Sequence, residues 1–377
     1  MKIIKFLSLI FLIMPGIYGI HIPHHSQTER YEIKSLIVRE ELSLCEDTKN
    51  EQALLGRIAY VNVDADGDLF VTDWDQRRIL IFDSNGRYIR SFGRRGQGPG
   101  EFLNVSRVQF DENERPYVVD TLQRRITYFD KDGRILKERK IVGNFLDLSV
   151  TSPLSFVGIQ RNRPSSNLPR YPLLYAFFNI NFEPATKLFE DLLEIPQPHP
   201  YDPSQARAES KQLSQEVFKP EPQLAVGHDR IVYFGYPSEY TIRVYSPDGK
   251  PLRNIARKTA PDEIDKKSIE IYWKRRSDAV FGKAPEDYRQ LVIRNIIYPK
   301  FKPFFYRLLP MGNGWLAVIV DIDEDLHIDF FDEKGGFIGR YRTPFPTSQI
   351  VFAGGKAYLV KDDGDSLTVK RYSYRLQ

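Results

Sequence analysis

The chain has 377 residues and nearly balanced charge, 54 Lys and Arg against 50 Asp and Glu, for a formal net charge of +4. That balance argues against a nucleic-acid surface as the main function, and the single cysteine, Cys45, excludes an internal disulfide. Aromatic residues make up 13% of the chain, a share that suits sheets packed face to face.

At the N-terminus, Lys2 and Lys5 precede an apolar run from Phe6 to Met14, followed by Pro15, Gly16 and the small Gly19. This is the pattern of a secretory signal peptide over residues 1–19. The run is about half the ~20 residues that a spanning helix needs. An exported protein is expected, periplasmic or extracellular, with no integral membrane segment after cleavage and a mature start near Ile20. Residues 20–30 read as a flexible tail, and its His21, His24 and His25 as solvated rather than metal-binding. From residue 31 to 377 a single body is expected. The weakly alternating segment 34–44 is a strand with no neighbour in sequence.

Two consecutive stretches then repeat one another. Asp73 maps to Asp120, Gln76 to Gln123, Phe82 to Phe129 and Gly86 to Gly133, each at an offset of 47. A fixed offset of this size between strand-forming segments points to the blades of a β-propeller. Within the first copy, strand signals at 59–63, 69–72, 79–82 and 88–92 are separated by Asp66-Gly67, Asp75-Gln76 and Asn85-Gly86. Asp-Gly and Asn-Gly supply the positive backbone torsions of tight hairpins, so each copy is a four-stranded meander. The glycine-rich run Gly93 to Phe102 between the copies lacks both a following helix and a Lys-Ser/Thr pair. It therefore reads as a sharp crossover between blades rather than a phosphate loop.

The run Gly96-Gln97-Gly98-Pro99-Gly100-Glu101-Phe102, the strand ending in Asp, and the strings Gln-Arg-Arg-Ile and Tyr-Phe-Asp with a following Gly resemble the NHL-repeat family of β-propellers. The likeness is closest to exported bacterial six-bladed proteins with NHL-like blades, and it is strongest over residues 58 to 141. It implies inner strands lining a central channel, with the turns between second and third strands on the same face as the connections between blades.

Further blades follow with less regularity. The third reads as strands at 145–150, 154–159, 173–181 and 186–189, and the proline-punctuated stretch 194–221 as a long surface connection. A fourth blade spans 223–256. Helical spacing of Ile269, Tyr272, Trp273 and Val280, then of Tyr288, Leu291, Val292 and Ile296, marks a helical insertion at about 261–298 between blades four and five. Two roles stay open for it: packing Trp273 and Leu291 against the propeller, or serving as a lid or docking surface. Blade five covers 305–341, and three strands at 349–374 need the early strand 34–44 to complete a sixth blade and close the ring.

The expected fold is thus an all-β, six-bladed propeller of four-stranded antiparallel blades. Asp73 and Asp120 read as acceptors for turn amides, and Asp64 and Asp111 as turn residues. Trp74 and Tyr236, large rings just after second strands, are candidate ligand contacts. Arg77, Arg94, Arg95 and Arg124 are candidates for a positive rim able to grip carboxylate or sulfate bidentately. The functional expectation is a binding module for a protein, peptide or glycan, with no nucleic-acid partner and no cofactor. The alternative is a metal-dependent hydrolase or lyase with a divalent metal in the channel, as in gluconolactonase-like and amidating-lyase-like propellers. His199, His228 and His327 sit in three different settings and give no ligand set at metal spacing.

Overall fold

The computed structural model describes residues 33–44, 56–162, 170–194, 202, 204–321, 326–345, 350–362 and 367–376. The signal peptide, the tail with its three histidines, Cys45 and His199 lie outside the described residues. Among the described residues no helix is long and apolar enough to cross a membrane.

Six blades, each a four-stranded antiparallel meander, form around the ring, and blade five gains a fifth, two-residue parallel strand at its outer edge. Blade one has strands Ile58–Val63, Leu69–Asp73, Arg78–Phe82 and Tyr88–Phe92, and blade two Gln109–Phe110, Pro116–Asp120, Arg125–Phe129 and Ile135–Lys140. Blade three spans Phe145–Ser152 to Pro184–Glu194, blade four Gln223–Val226 to Pro251–Ala256, and blade five Arg307–Gly312 to Phe337–Thr343. Blade six takes Ile350–Ala353, Lys356–Asp362 and Leu367–Arg375, with Ile37–Leu44 as its outer strand. The segment expected as one strand at 34–44 serves two blades. Lys34–Ser35 runs parallel to the outer strand of blade five, Leu36 turns into the core with its amide on the Arg342 carbonyl, and only the remainder closes blade six.

One turn chemistry recurs between third and fourth strands. Asp83 accepts from the amides of Asn85 and Arg87, Asp130 from Asp132 and Arg134, Asn179 from Asn181 and Glu183, and Asp332 from Lys334 and Gly336. Such side chains imitate a backbone turn and so fix the hairpin locally. In blade three Phe182 occupies the left-handed position at φ 63° that Gly86 and Gly133 hold in the first two blades. Its ring is buried against Phe156, which offsets a conformation costly for a residue with a Cβ.

The hydrophobic core is divided among the blade junctions. Phe70 and Ile79 of blade one pack with Val118 and Phe129 of blade two. Equivalent clusters join blades two and three, three and four, four and five, and five and six. A sixth sets Leu44, Tyr358 and Val369 against Val61 and Val71, closing the ring. With each buried aromatic or aliphatic side chain contributing ~1.5–3 kcal/mol, every junction is stabilised separately.

Between blades the chain builds a helical cluster with its own core. Helix α1 (Ala206–Glu216) lies in the connection from blade three to four, while α2 (Lys266–Phe281) and α3 (Glu286–Ile293) lie in the one from four to five. Helix α1 falls within the stretch 194–221 that the sequence marks as a long connection, and was not itself expected. Its run Ala206-Arg-Ala-Glu-Ser-Lys-Gln-Leu is rich in helix formers, and the prolines that mask it flank it. Trp273 packs with Phe281, Tyr288 and Val292, not on a blade, and its indole donates to the Tyr298 hydroxyl at 2.8 Å. Buried Ser210 of α1 donates to the Val292 carbonyl at 2.9 Å, and Tyr288 bonds Glu209 at 2.5 Å, so the three helices hold one another.

Candidate functional site

A meander fixes which ends of the strands share a face. Inner strands begin, second strands end and outer strands end on one face, so every connection between blades lies there. All three helices therefore belong to this connection face, and the first hairpin of each blade to the opposite one.

The central channel encloses about 590 Å³ and is lined by the inner strands of blades one, two, four, five and six, with Val150 from blade three. At its hairpin-face end contacts bridge blades two and four. The His228 ring lies 5.4 Å from Phe110 and its Nε2 is 3.3 Å from Glu114, while Arg230 approaches Glu112 at 3.9 Å. Glu114 and Arg230 hold the left-handed turn position, φ 56° and 61°, that Gly67 holds in blade one. Long charged side chains thus replace glycine where they reach across the channel.

At the connection-face end the inner strands of blades one and two carry both stitching and channel side chains. Asn62 donates to the Val108 carbonyl at 2.8 Å, and its repeat equivalent Gln109 to the Leu148 carbonyl at 3.3 Å, each binding its blade to the next. Two residues upstream stand Tyr60, within the inner strand of blade one, and Arg107, just ahead of that of blade two, also separated by 47. Arg107 reaches Asp147 and Ser149 of blade three, both at 3.3 Å. Asp147, before the cost of burial, holds the Arg107 guanidinium above its ordinary value. From blade five Arg307, the first residue of its inner strand, enters the same space. Burial, then the positive charge of Arg107, pulls its guanidinium down. Arg307 keeps solvent access along the channel, and among the described residues no carboxylate or carbonyl bonds its side chain. Beside this mouth a smaller cavity of about 230 Å³ lies between α2 and the propeller, lined by Phe218, Tyr272, Arg276 and Tyr306. Gln223 lines both spaces, so the cleft and the channel end adjoin.

The residues singled out from the sequence lie around the rim and do not converge. Trp74 is half-buried under the Arg77 guanidinium, 3.8 Å from the ring, and Arg77 also bonds the Trp74 carbonyl. Tyr236 stacks on Phe189 of blade three at 4.7 Å. Arg94 pairs with Glu101 at 2.6 Å, and exposed Arg124 donates to Asn144 at 2.6 Å. Arg95 is exposed and, among the described residues, has no side-chain partner. Asp73 and Asp120 do what turn acceptors do: buried Asp120 takes the amides of Leu122 and Gln123 on one oxygen and those of Leu103 and Asn104 on the other. Among the described residues no group of three or more His, Cys, Asp or Glu side chains is placed to hold a metal ion. Tyr60, Arg107 and Arg307 escaped sequence reasoning; the signal available was the Tyr60/Arg107 difference between otherwise matching copies.

Residues 46–154 match a family described as a 6-bladed beta-propeller, over the stretch where the repeat is clearest. No curated protein matches. Among solved structures, a candidate exported protein from Bacteroides fragilis NCTC 9343 is similar at 12% identity and TM-score 0.53, covering 90% of this chain and 96% of that one. A member of the DUF4221 family from Bacteroides vulgatus follows at 10% identity and TM-score 0.48, covering 92% and 100%. Virginiamycin B lyase from Staphylococcus aureus, at 10% identity and TM-score 0.39 over 84% and 80%, is too distant to bear on function. At such identities the likeness to the Bacteroides fragilis protein is one of fold alone, and with the matched family and the closed ring of six blades it makes this chain a six-bladed β-propeller.

Proposed function

We propose that the protein is exported and works as a binding module for a protein, peptide or glycan, with the ligand seated at the connection-face end of the channel. The observation that carries this reading is the junction of two concave spaces at Gln223, one walled by inner strands and the other by α2. Concave sites that mix aromatic walls with a few polar groups are where ligands bind, and here a rigid ring fixes their geometry. The charged N-terminus and short apolar run support export.

Peptide and glycan arrays probed with the wild-type chain and with Gln223→Ala/Tyr306→Ala test the site. Ligands captured by the wild type and lost in the double variant, at unchanged circular dichroism, are the expected result. Capture that survives it but disappears in Trp74→Ala/Arg95→Ala moves the site to the rim and overturns this reading. N-terminal sequencing of the mature protein tests export, with a start near Ile20 expected.

A further inference from the structure

We infer that the channel mouth binds an oxyanion, a carboxylate or sulfate carried by a small acidic saccharide, between Arg107 and Arg307; this rests on the channel-mouth reading above. Two guanidinium groups from different blades line one cavity, Arg107 just ahead of the inner strand of blade two and Arg307 at the start of that of blade five, where like charges repel. Only one of them has a carboxylate partner, Asp147, which itself is shared with solvent. The local charge is therefore uncompensated, and among the described residues nothing bonds Arg307. Guanidinium forks match planar carboxylate and tetrahedral sulfate through paired hydrogen bonds. Held in a protein-walled space, such pairs are less screened than on an open surface. Tyr60 adds a hydroxyl and a ring to the lining of the same cavity.

The size and shape of the channel select the carrier. About 590 Å³ suits a small ligand. The Phe110–His228 and Glu114–His228 contacts bridge blades two and four at the hairpin-face end, which disfavours an extended peptide threading through. A blunt terminal group such as a sugar acid fits, entering from the connection face with its remainder turned toward the α2 cleft.

Thermal shift and calorimetric titration of the full mature chain at constant ionic strength test this with four probes: D-glucuronate, inorganic sulfate, D-glucose and a short peptide with a free C-terminus. Glucuronate and sulfate are expected to raise Tm in the wild type and glucose to leave it unchanged. Arg307→Gln should weaken glucuronate binding at least tenfold, while Arg95→Gln on the rim retains it. Without anion, Arg307→Gln should melt higher than the wild type because it removes one of two facing charges, an outcome no folding defect imitates. An equal response to glucose and glucuronate would leave the channel-mouth reading standing and defeat the oxyanion inference. A response to the peptide but not to glucuronate overturns the saccharide class. Retention of the anion response in Arg307→Gln, or no response to any probe, overturns the site itself.

Discussion

Blades one and two share a template so closely that their differences isolate what the ring does not need. Matching residues do matching structural work: Asp73 and Asp120 collect turn and crossover amides, Asp83 and Asp130 shape the outer hairpins, and Asn62 and Gln109 stitch to the next blade. Two of the positions at which the copies differ bear on the channel. Tyr60 gives way to Arg107 at the mouth and Gly67 to Glu114 at the hairpin-face end. Recurrence here marks folding, and the two departures at Tyr60/Arg107 and Gly67/Glu114 point to the candidate site.

The strongest blow to that division would come at the shared aspartates. Asp120→Ala strips a buried acceptor from four amides and should cost about 3–5 kcal/mol, with Asp73→Ala similar, both read from urea midpoints. If either variant kept its stability and lost ligand capture instead, the shared residues would be functional and the comparison would fail.

A smaller effect separates Gly67 from Glu114. Both Glu114→Gly and Glu114→Ala lose the His228 contact, but only glycine relieves the left-handed backbone. The glycine variant should therefore be more stable than the alanine one by about 1 kcal/mol, and Gly67→Ala should cost about as much in blade one. Equal stability of the two Glu114 variants would mean that the turn position carries no strain.

Arg107→Tyr would make blade two imitate blade one at the mouth. Its Asp147 pair is partly exposed, so stability should change by less than about 1 kcal/mol while binding of glucuronate is lost. Smallest of all is the acid response of the structural carboxylates. The Arg87 amide lowers the pKa of Asp83, and the Gly98 amide, then Arg94, that of Glu101. Lowered values mean stability fully present above the ordinary carboxylate range and lost as pH falls through them, below about pH 5. Asp83→Asn should flatten that part of the urea midpoint against pH, and an unaltered slope would contradict the assignment.

Most of the ring was legible because its signals are local. Asp-Gly hairpins, the offset of 47 and the aspartates ending second strands act within a few residues, so they mark blades one, two and four directly. Helix α1 was hidden because Pro203 and Pro220 flank it and read as breakers, although the residues between favour helix. The pairing of Lys34–Ser35 with blade five involves two residues and depends on ring closure, which no local pattern encodes. The channel mouth was illegible for the same reason. Arg307 follows Phe305 and Tyr306 in an ordinary strand start, and only the circular arrangement brings it near Arg107, two hundred residues earlier in sequence. Trp74 and Tyr236 looked available because sequence shows rings at loop positions; Arg77 and Phe189 are what cover them.

The most direct measurement is a crystal structure of the mature chain grown in selenate, an oxyanion that anomalous scattering locates without bias. An anomalous peak within hydrogen-bond distance of both the Arg107 and Arg307 guanidinium groups, absent from Arg307→Gln crystals grown alike, is the predicted result. Selenate bound only at rim arginines such as Arg95, with the channel mouth holding none, would contradict the account.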